Sequence, residues 1–249
     1  MGSFSERHFD LFLIPQQPNE TVRGWAYRLL LENIISLRLP PGTFFTEQEL
    51  AQMLQASRTP VREALIQLAG DGFVEITSQR GTRVSLIDLQ RVEDERFMRM
   101  CLEQKTALLG AKAFPDESLI RLQYFYDMMD VAFKQKDGLR FIEFDDKFHQ
   151  AVLTGSGRPG IWCAITKFSG HHRRARILSR ISHQGRNHGY PDEWLSAMRQ
   201  HMQILEALRS HDARSAASAI EEHFSPSGWD VGKLRETYSD YFVSGSGLG

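Results

Sequence analysis

The chain has 249 residues, which is more than one ordinary compact domain needs and enough for two. Hydrophobic residues make up 41% of it and charged residues 24%. These proportions are typical of globular proteins and exclude wholesale disorder and the fibrous classes. The net charge is −1, from 30 basic and 31 acidic residues, so binding to nucleic acid has to be inferred from where the charges lie.

The chain shows no targeting or membrane signal. No apolar run approaches the roughly 20 residues that span a bilayer, and the N-terminus lacks the pattern of a secretory signal. Cys101 and Cys163 are too few for a disulfide framework and lack the spacing of a thiolate zinc site. We therefore expect a cytoplasmic protein with no membrane partner, and a core location for both cysteines, which lie in apolar helical stretches.

The first part of the chain contains three predicted helices. Residues 1–19 form a polar N-terminal arm, and apolar residues at helical spacing predict the first helix between residues 21 and 37. Thr46 and Glu49 have the spacing of a capping box, which opens a short second helix. Ser57 is a favourable cap for a third helix that ends near residue 70.

A β-hairpin is predicted directly after the third helix. Residues 73–77 and 82–85 alternate in polarity on either side of a turn that contains Gly81, as the strands of a hairpin do. Helix, helix, turn, helix and hairpin follow one another within residues 20–87. This order predicts a winged helix-turn-helix domain.

The predicted DNA-reading residues lie at two places in this domain. Arg58 and Arg62 are four apart in the first turns of the third helix, the element that meets base edges in the major groove, and arginine makes bidentate contacts to guanine. Arg80 and Gly81 lie at the hairpin tip. The alternative is that these arginines are solvated surface charges, since residues 20–87 carry seven arginines and seven acidic residues. The order of the elements favours DNA binding.

Several motifs of this region closely resemble the GntR superfamily of bacterial transcription regulators: Leu39-Pro-Pro-Gly42, Glu49-Leu-Ala51, Ser57-Arg-Thr-Pro-Val-Arg-Glu-Ala-Leu65, Asp71-Gly-Phe-Val74 and Arg80-Gly-Thr-Arg-Val84. The resemblance covers about residues 30–87. It implies that Arg58, Thr59 and Arg62 contact double-stranded operator DNA and that Gly81 shapes the wing. Gln48 departs from the family pattern, because many members carry arginine there.

The second part of the chain is predicted to be a helical bundle, so the whole fold is mainly α. Strand signals vanish after residue 88, and about six long helical patterns follow within residues 92–236. One of these patterns runs without interruption from residue 159 to 182. Residues 237–249 end in a run rich in glycine and serine and are predicted to be a flexible tail.

Four side chains of the bundle are candidate metal ligands. Asp145 and His149 are four apart and share one helix face. His201 and His223 flank a predicted break at residues 210–212, and in an antiparallel hairpin both return to about 15 Å from the turn. A carboxylate and imidazoles so placed can reach one ion. Each residue alone is more often structural, and an aspartate four residues before a histidine is common by chance.

This pattern looks like the metal-binding version of the FCD ligand domain of FadR-type GntR regulators, and Arg99-x-x-Leu-Glu103 also fits that domain. The resemblance implies that one aspartate and three histidines hold a divalent ion and leave coordination positions for water or an effector. Zinc, nickel and manganese all suit such ligands, with zinc preferred. His211 and the segment 225–228 depart from the family pattern.

A metal in this site implies a small carboxylate effector. One aspartate and three neutral histidines leave a divalent ion with a local charge of +1, which a carboxylate neutralises. Arg99 and Arg176 are candidates for a charge-assisted clamp on it. The alternative for Arg99 is a surface charge paired with Glu95 or Glu103. The basic run 171–176 is either a second DNA surface or a helix with one solvated edge.

These observations predict a homodimeric, ligand-responsive transcription regulator, more often a repressor than an activator in such families. A direct metal sensor without an organic effector remains an alternative. A metal-dependent hydrolase is another, since open metal sites activate water. Against the hydrolase, no separate glutamate stands out as a general base, and the DNA-binding half would have no role, so we expect no enzymatic activity.

Overall fold

The computed structural model describes residues 11–77, 81–182, 192–225 and 231–244. Two compact units make up this part of the chain. The first contains the described residues up to Asp88 together with residues 238–244, and the second contains those from Leu89 to Thr237. Helices predominate in both units, so the prediction of a mainly α fold is confirmed.

The first unit is a winged helix-turn-helix. Its elements are α1 (Val22–Ile35), β1 (Phe44–Phe45), α2 (Glu47–Met53), α3 (Arg58–Gly70), β2 (Val74–Thr77) and β3 (Gly81–Val84). The strands form an antiparallel sheet in the order β1-β3-β2. Strand β1 was not predicted, because two residues are too few to show an alternating pattern.

Side-chain caps fix where the helices of this unit begin. The Thr21 hydroxyl accepts from the backbone N–H of Gly24 at the start of α1. Thr46 and Glu49 form the predicted capping box at the start of α2. Ser57 occupies the N-cap position of α3 but makes no capping hydrogen bond through its side chain.

Described segments from the first and last parts of the chain both contribute to the first unit. Asn33, which is fully buried, accepts from the backbone N–H of Phe12 at 2.8 Å, so the end of the arm lies against α1. Phe242 is 2% exposed and pairs with Ile87 in a parallel bridge. The prediction of a flexible tail from residue 237 onward is therefore wrong for residues 238–243, because an aromatic side chain there is buried.

The second unit is a bundle, as predicted. The described residues form eight helices rather than about six: α4 (Leu89–Gly110), α5 (Asp116–Lys134), α6 (Gly138–Gly155), α7 (Gly160–Phe168), α8 (Gly170–Ser182), α9 (Asp192–Arg209), α10 (Ala213–His223) and α11 (Val231–Thr237). The pattern predicted as one helix over 159–182 breaks at Ser169, whose hydroxyl donates to the carbonyl of Ile165 at 2.5 Å. Ser169 is the C-cap of α7, with φ −111° and ψ 30°, outside the helical region.

Helix α4 buries three charged side chains and exposes several apolar ones. Glu95, Arg99 and Glu103 are all less than a tenth exposed, whereas Phe97 is 58% exposed and Cys101 is exposed. Cys163 on α7 is exposed as well. The prediction that both cysteines lie in the core is therefore wrong, since an apolar helical stretch does not reveal which of its sides faces the bundle.

Candidate metal centre and DNA-binding surface

The four predicted ligands meet inside the second unit. Helix α6 carries Asp145 and His149, α9 carries His201 and α10 carries His223. One ligand atom from each lies within 4.8 Å of the others. His149 Nε2 is 3.2 Å from His223 Nε2, and His201 Nε2 is 3.2 Å from Asp145 Oδ1. The helical hairpin that the sequence predicts is formed, with Asp212 capping α10.

Each imidazole ring is held by an oxygen atom on the side away from this cluster. His149 Nδ1 faces Glu103 Oε2 at 2.5 Å, and His201 Nδ1 faces the carbonyl oxygen of Ala197 at 2.7 Å. His223 Nδ1 faces the side-chain oxygen of Gln200, Oε1, at 3.2 Å. Carbonyl and ionised carboxylate oxygens only accept, so each Nδ1 carries the proton and each Nε2 directs its lone pair into the cluster.

Sequence reasoning did not assign this orienting role to Glu103. In the sequence, Glu103 belongs to the motif Arg99-x-x-Leu-Glu103 and is one of the two predicted partners of Arg99. It is fully buried and contacts both Arg99 and His149. The motif was the only sequence feature that pointed to Glu103. Its role in orienting the ring of His149 follows from a contact between two different helices.

The electrostatics of the cluster favour a bound cation. Burial lowers the pKa of His149 and holds that of His223 well below its usual range, so both rings are neutral. Burial alone would raise the pKa of Asp145, but the direct contact with the Arg176 guanidinium outweighs it and keeps the carboxyl ionised. His201 Nε2 is buried without a hydrogen-bond partner among the described residues. Lone pairs this close repel one another unless a cation lies between them.

Arg99 is inside the bundle rather than on its surface. Its side chain is 2% exposed, and Nε donates to Glu103 Oε1 at 2.7 Å. The guanidinium carbon is 5.1 Å from the ring centre of Phe224 and 5.4 Å from that of Trp162. Its Nη2 atom is buried and has no hydrogen-bond partner within the described residues. The alternative interpretation of Arg99 was a surface charge paired with Glu95 or Glu103. The pair with Glu103 is present, but both side chains are buried.

Arg176 joins the predicted ligand set directly. It donates to Asp145 Oδ2 and to Asp146 Oδ1 at 2.9 Å. A cavity of about 100 Å³ lies beside these groups, and Arg99, Arg176, Asp145 and His223 all line it. Both predicted effector-binding arginines therefore face the same space as two of the candidate metal ligands.

The basic run 171–176 belongs to the interior of the bundle. His171, His172 and Arg174 on α8 are 5%, 3% and 0% exposed, and the backbone N–H of His172 donates to Glu95 Oε2 at 2.8 Å. Side chains this buried cannot contact DNA. Of the two alternatives, the structure favours a packed helix with one edge towards solvent.

The predicted DNA-reading residues of α3 are exposed. Val61, Leu65 and Leu68 are fully buried on its inner face, and Arg58, Thr59 and Arg62 lie on the outer face. Arg62 Nε is 3.8 Å from Glu47 Oε1, with side chains 68% and 38% exposed. A contact this long between solvated groups holds neither side chain in place, so the outer face of α3 is available to a partner.

Gly81, the residue predicted to shape the wing, begins strand β3 of the hairpin. Gly81 has a φ of +106°, and a Cβ atom there would lie 2.8 Å from the carbonyl oxygen of Phe45. Both the dihedral angle and the close approach require glycine. Arg80 lies outside the described residues. Arg83 on the same strand is paired with Glu75 at 2.6 Å across the hairpin.

The first unit has the winged helix-turn-helix fold of DNA-binding transcription regulators, and a helical bundle follows it. Residues 24–84 match the model of the bacterial regulatory proteins of the gntR family, and residues 96–225 match the FCD domain. The chain therefore belongs to the GntR family of transcription regulators and carries an FCD domain.

Relatives support this assignment. The chain is 30% identical over 225 residues to the HTH-type transcriptional repressor RspR of Escherichia coli K12, covering 90% of this chain and 95% of RspR. It is 28% identical over 193 residues to the Nta operon transcriptional regulator of Aminobacter aminovorans, covering 76% and 84%. These relatives are regulators, and the expectation that the protein is not an enzyme is confirmed.

Solved structures share the fold. Escherichia coli McbR/YncC superposes with a TM-score of 0.71 at 19% identity, covering 88% of this chain and 99% of that one. A putative GntR regulator from Rhodococcus sp. RHA1 gives 0.65 at 19% identity, covering 85% and 96%. In the part of the chain that the structure describes, no helix is both long enough and apolar enough to cross a membrane.

Proposed function

We propose that this regulator is a homodimeric repressor whose FCD domain binds a divalent metal ion and a small carboxylate effector, which modulates its affinity for operator DNA. The observation that carries the proposal is the convergence of three imidazole Nε2 atoms and one carboxylate, with each ring held from behind through Nδ1. This arrangement is that of ligands oriented for one ion.

The residues present fit a divalent ion. Asp145, His149, His201 and His223 would hold it, and three nitrogens with one oxygen suit zinc, nickel or manganese, with zinc preferred. The ion, when bound, supplies a local positive charge and open coordination positions. Glu103 and Gln200 orient the rings towards it, and Arg176 keeps Asp145 ionised through their direct contact.

The cavity beside the ligands fits a carboxylate. Arg99 offers a buried Nη2 donor that no described residue uses, and a charge-assisted bond from it to an anion would satisfy a group that is costly to leave unpaired. Arg176 is already bound to Asp145 and Asp146. It therefore contributes positive charge to the cavity and positions the metal ligand at the same time.

Homodimer formation follows from the DNA that such a domain reads. Helix-turn-helix proteins bind two half-sites about one turn of DNA apart, one for each subunit. The exposed side of α4 presents Phe97, Cys101, Leu108 and Leu109 among charged residues, and a second copy of the chain would cover these apolar side chains. Repression is proposed because the relative RspR is named a repressor.

A calorimetric titration tests the proposal. One candidate acid is titrated into metal-loaded and metal-free protein, each with and without operator DNA. We expect binding to the metal-loaded protein, an operator-dependent change in its affinity of about 5–150-fold, and loss of most of this response without metal. Equal effector affinity in all four samples would refute the coupling. Release of operator by metal alone would instead identify a direct metal sensor.

A further inference from the structure

The exposed face of α3 has an isoleucine near its centre. Ile66 is 54% exposed, although it lies on the helix that carries Arg58, Thr59 and Arg62. At about 100° per residue, Ile66 is only about 20° from Thr59 around the helix axis and about 40° from Arg62. The buried residues of α3, Val61, Ala64, Leu65 and Leu68, lie about 100–160° from Ile66 around the axis. Ile66 therefore belongs to the DNA-reading face.

Its position along the helix is compatible with the major groove. Ile66 follows Arg62 by one turn, about 6 Å, and follows Arg58 by about 12 Å, at a rise of 1.5 Å per residue. The major groove of B-DNA is about 12 Å wide. A reading helix whose first turn meets base edges therefore keeps its third turn within or at the edge of the same groove.

The chemistry of the side chain restricts what it can recognise there. Isoleucine has no hydrogen-bond donor or acceptor, so it cannot read the polar edges of guanine, adenine or cytosine. The group that projects into the major groove and that an apolar side chain can contact is the C5 methyl of thymine. Thr59, two turns before Ile66 on the same side, also carries a methyl group, and the arginines supply the polar contacts.

We propose that Ile66 is a specificity-determining residue that reads the C5 methyl of one thymine in each operator half-site. The arginines of the face fix the position of the helix, and Ile66 adds a preference for thymine beyond the bases that they contact. Removal of one methyl-sized apolar contact should weaken binding about fourfold in each half-site.

The test combines a protein variant with removal of a single methyl group from the DNA. An operator is first selected from a random-sequence library with the full-length protein. Each thymine is then replaced in turn by deoxyuridine, which removes only the C5 methyl. At fixed salt, one thymine in each half-site should show an affinity loss of about fourfold with the wild-type protein and no loss with Ile66→Ala. Ile66→Val, which keeps a branched side chain, should retain part of the effect.

Ile120→Ala is the matched control, because Ile120 is an equally simple side chain, 71% exposed on α5 of the other unit. This variant should keep the full response to deoxyuridine. Equal deoxyuridine effects in wild type and Ile66→Ala would overturn the proposal. So would a loss of affinity in Ile66→Ala that is the same for every operator, which indicates a backbone contact, or a change in oligomeric mass, which indicates a protein contact.

Discussion

The arginines of the outer face of α3 and those beside the candidate metal centre lie in opposite environments. On α3, the side chain of Arg62 is 68% exposed, and its contact with Glu47 is 3.8 Å long. In the FCD domain, the side chains of Arg99 and Arg176 are 2% and 15% exposed and bind carboxylates directly. One set of guanidinium groups is solvated and available, and the other is enclosed and already paired.

Because of this difference, the two sets of arginines should contribute differently to the stability of the fold. Exposed ion pairs contribute about 0–1 kcal/mol, so a reading helix can carry arginines that the fold does not need. A buried pair that loses one member leaves an uncompensated charge, at a cost of about 3–5 kcal/mol. Substitution of the exposed arginines of α3 should therefore change DNA binding alone, whereas substitutions around the candidate metal centre should change metal binding and folding together.

The largest effect is expected at the candidate metal ligands. His149→Ala, His201→Ala and His223→Ala should each remove most of the bound metal from the purified protein, because each deletes one of four ligands. Elemental analysis of the dialysed protein measures this. His211→Asn is the control, since His211 lies outside the cluster with a φ of +54°, which asparagine tolerates. A full equivalent of metal in all three alanine variants would contradict the assignment.

The next effect is expected on α3. Arg58→Ala and Arg62→Ala should each weaken specific operator binding by about 1–3 kcal/mol, roughly 5–150-fold, because a bidentate base contact is lost. Their free energies of unfolding should stay within about 0.5 kcal/mol of wild type. Gel-shift titration at fixed salt and thermal unfolding measure the two quantities.

Arg121→Ala is the control for these α3 variants. Arg121 is an arginine on α5 with its side chain 60% exposed and paired to Glu117, and its removal should change neither operator affinity nor stability. If this variant loses as much operator affinity as Arg58→Ala, the loss reflects total charge rather than base reading. Unchanged affinity in both α3 variants would argue against α3 as the reading helix.

Glu103→Gln tests the buried charge that contacts both Arg99 and His149. The amide keeps an oxygen near His149 but removes the charge that Arg99 and the ring both face, so metal affinity should fall about 10–100-fold. Stability should fall as well, because Arg99 loses its buried partner. Competition with a chelator gives the first quantity and denaturant unfolding the second. Glu93→Gln, whose side chain is 23% exposed beside Arg96, should leave metal affinity unchanged, and an equal loss in both variants would contradict the orienting role.

The smallest effect concerns local structure in the DNA-binding unit. Thr46→Ala removes one half of the capping box and should lower the free energy of unfolding by about 1 kcal/mol. Ser57→Ala is the matched control, because Ser57 makes no capping bond through its side chain. Denaturant unfolding of the metal-loaded protein compares the two. Equal losses would show that the cap at Thr46 contributes nothing specific.

Features that depend on neighbouring residues were predictable from the amino-acid sequence. The capping box at Thr46 and the hairpin around Gly81 are such features, because caps and turns act over three or four residues. The shared face of Asp145 and His149 follows in the same way from helix periodicity. The helical hairpin that brings His201 towards His223 was predictable because a turn near its middle places both at the same height.

Tertiary structure decided the features that depend on contacts between distant segments. The pairing of Glu103 with His149 joins residues 46 positions apart, and the burial of Phe242 depends on its bridge to Ile87. The sequence also did not predict which side of α4 faces the bundle. Charged residues such as Arg99 and Glu103 are buried there, while Phe97 and Cys101 are exposed. A buried charge needs a partner, and only the packing of one helix against another supplies it.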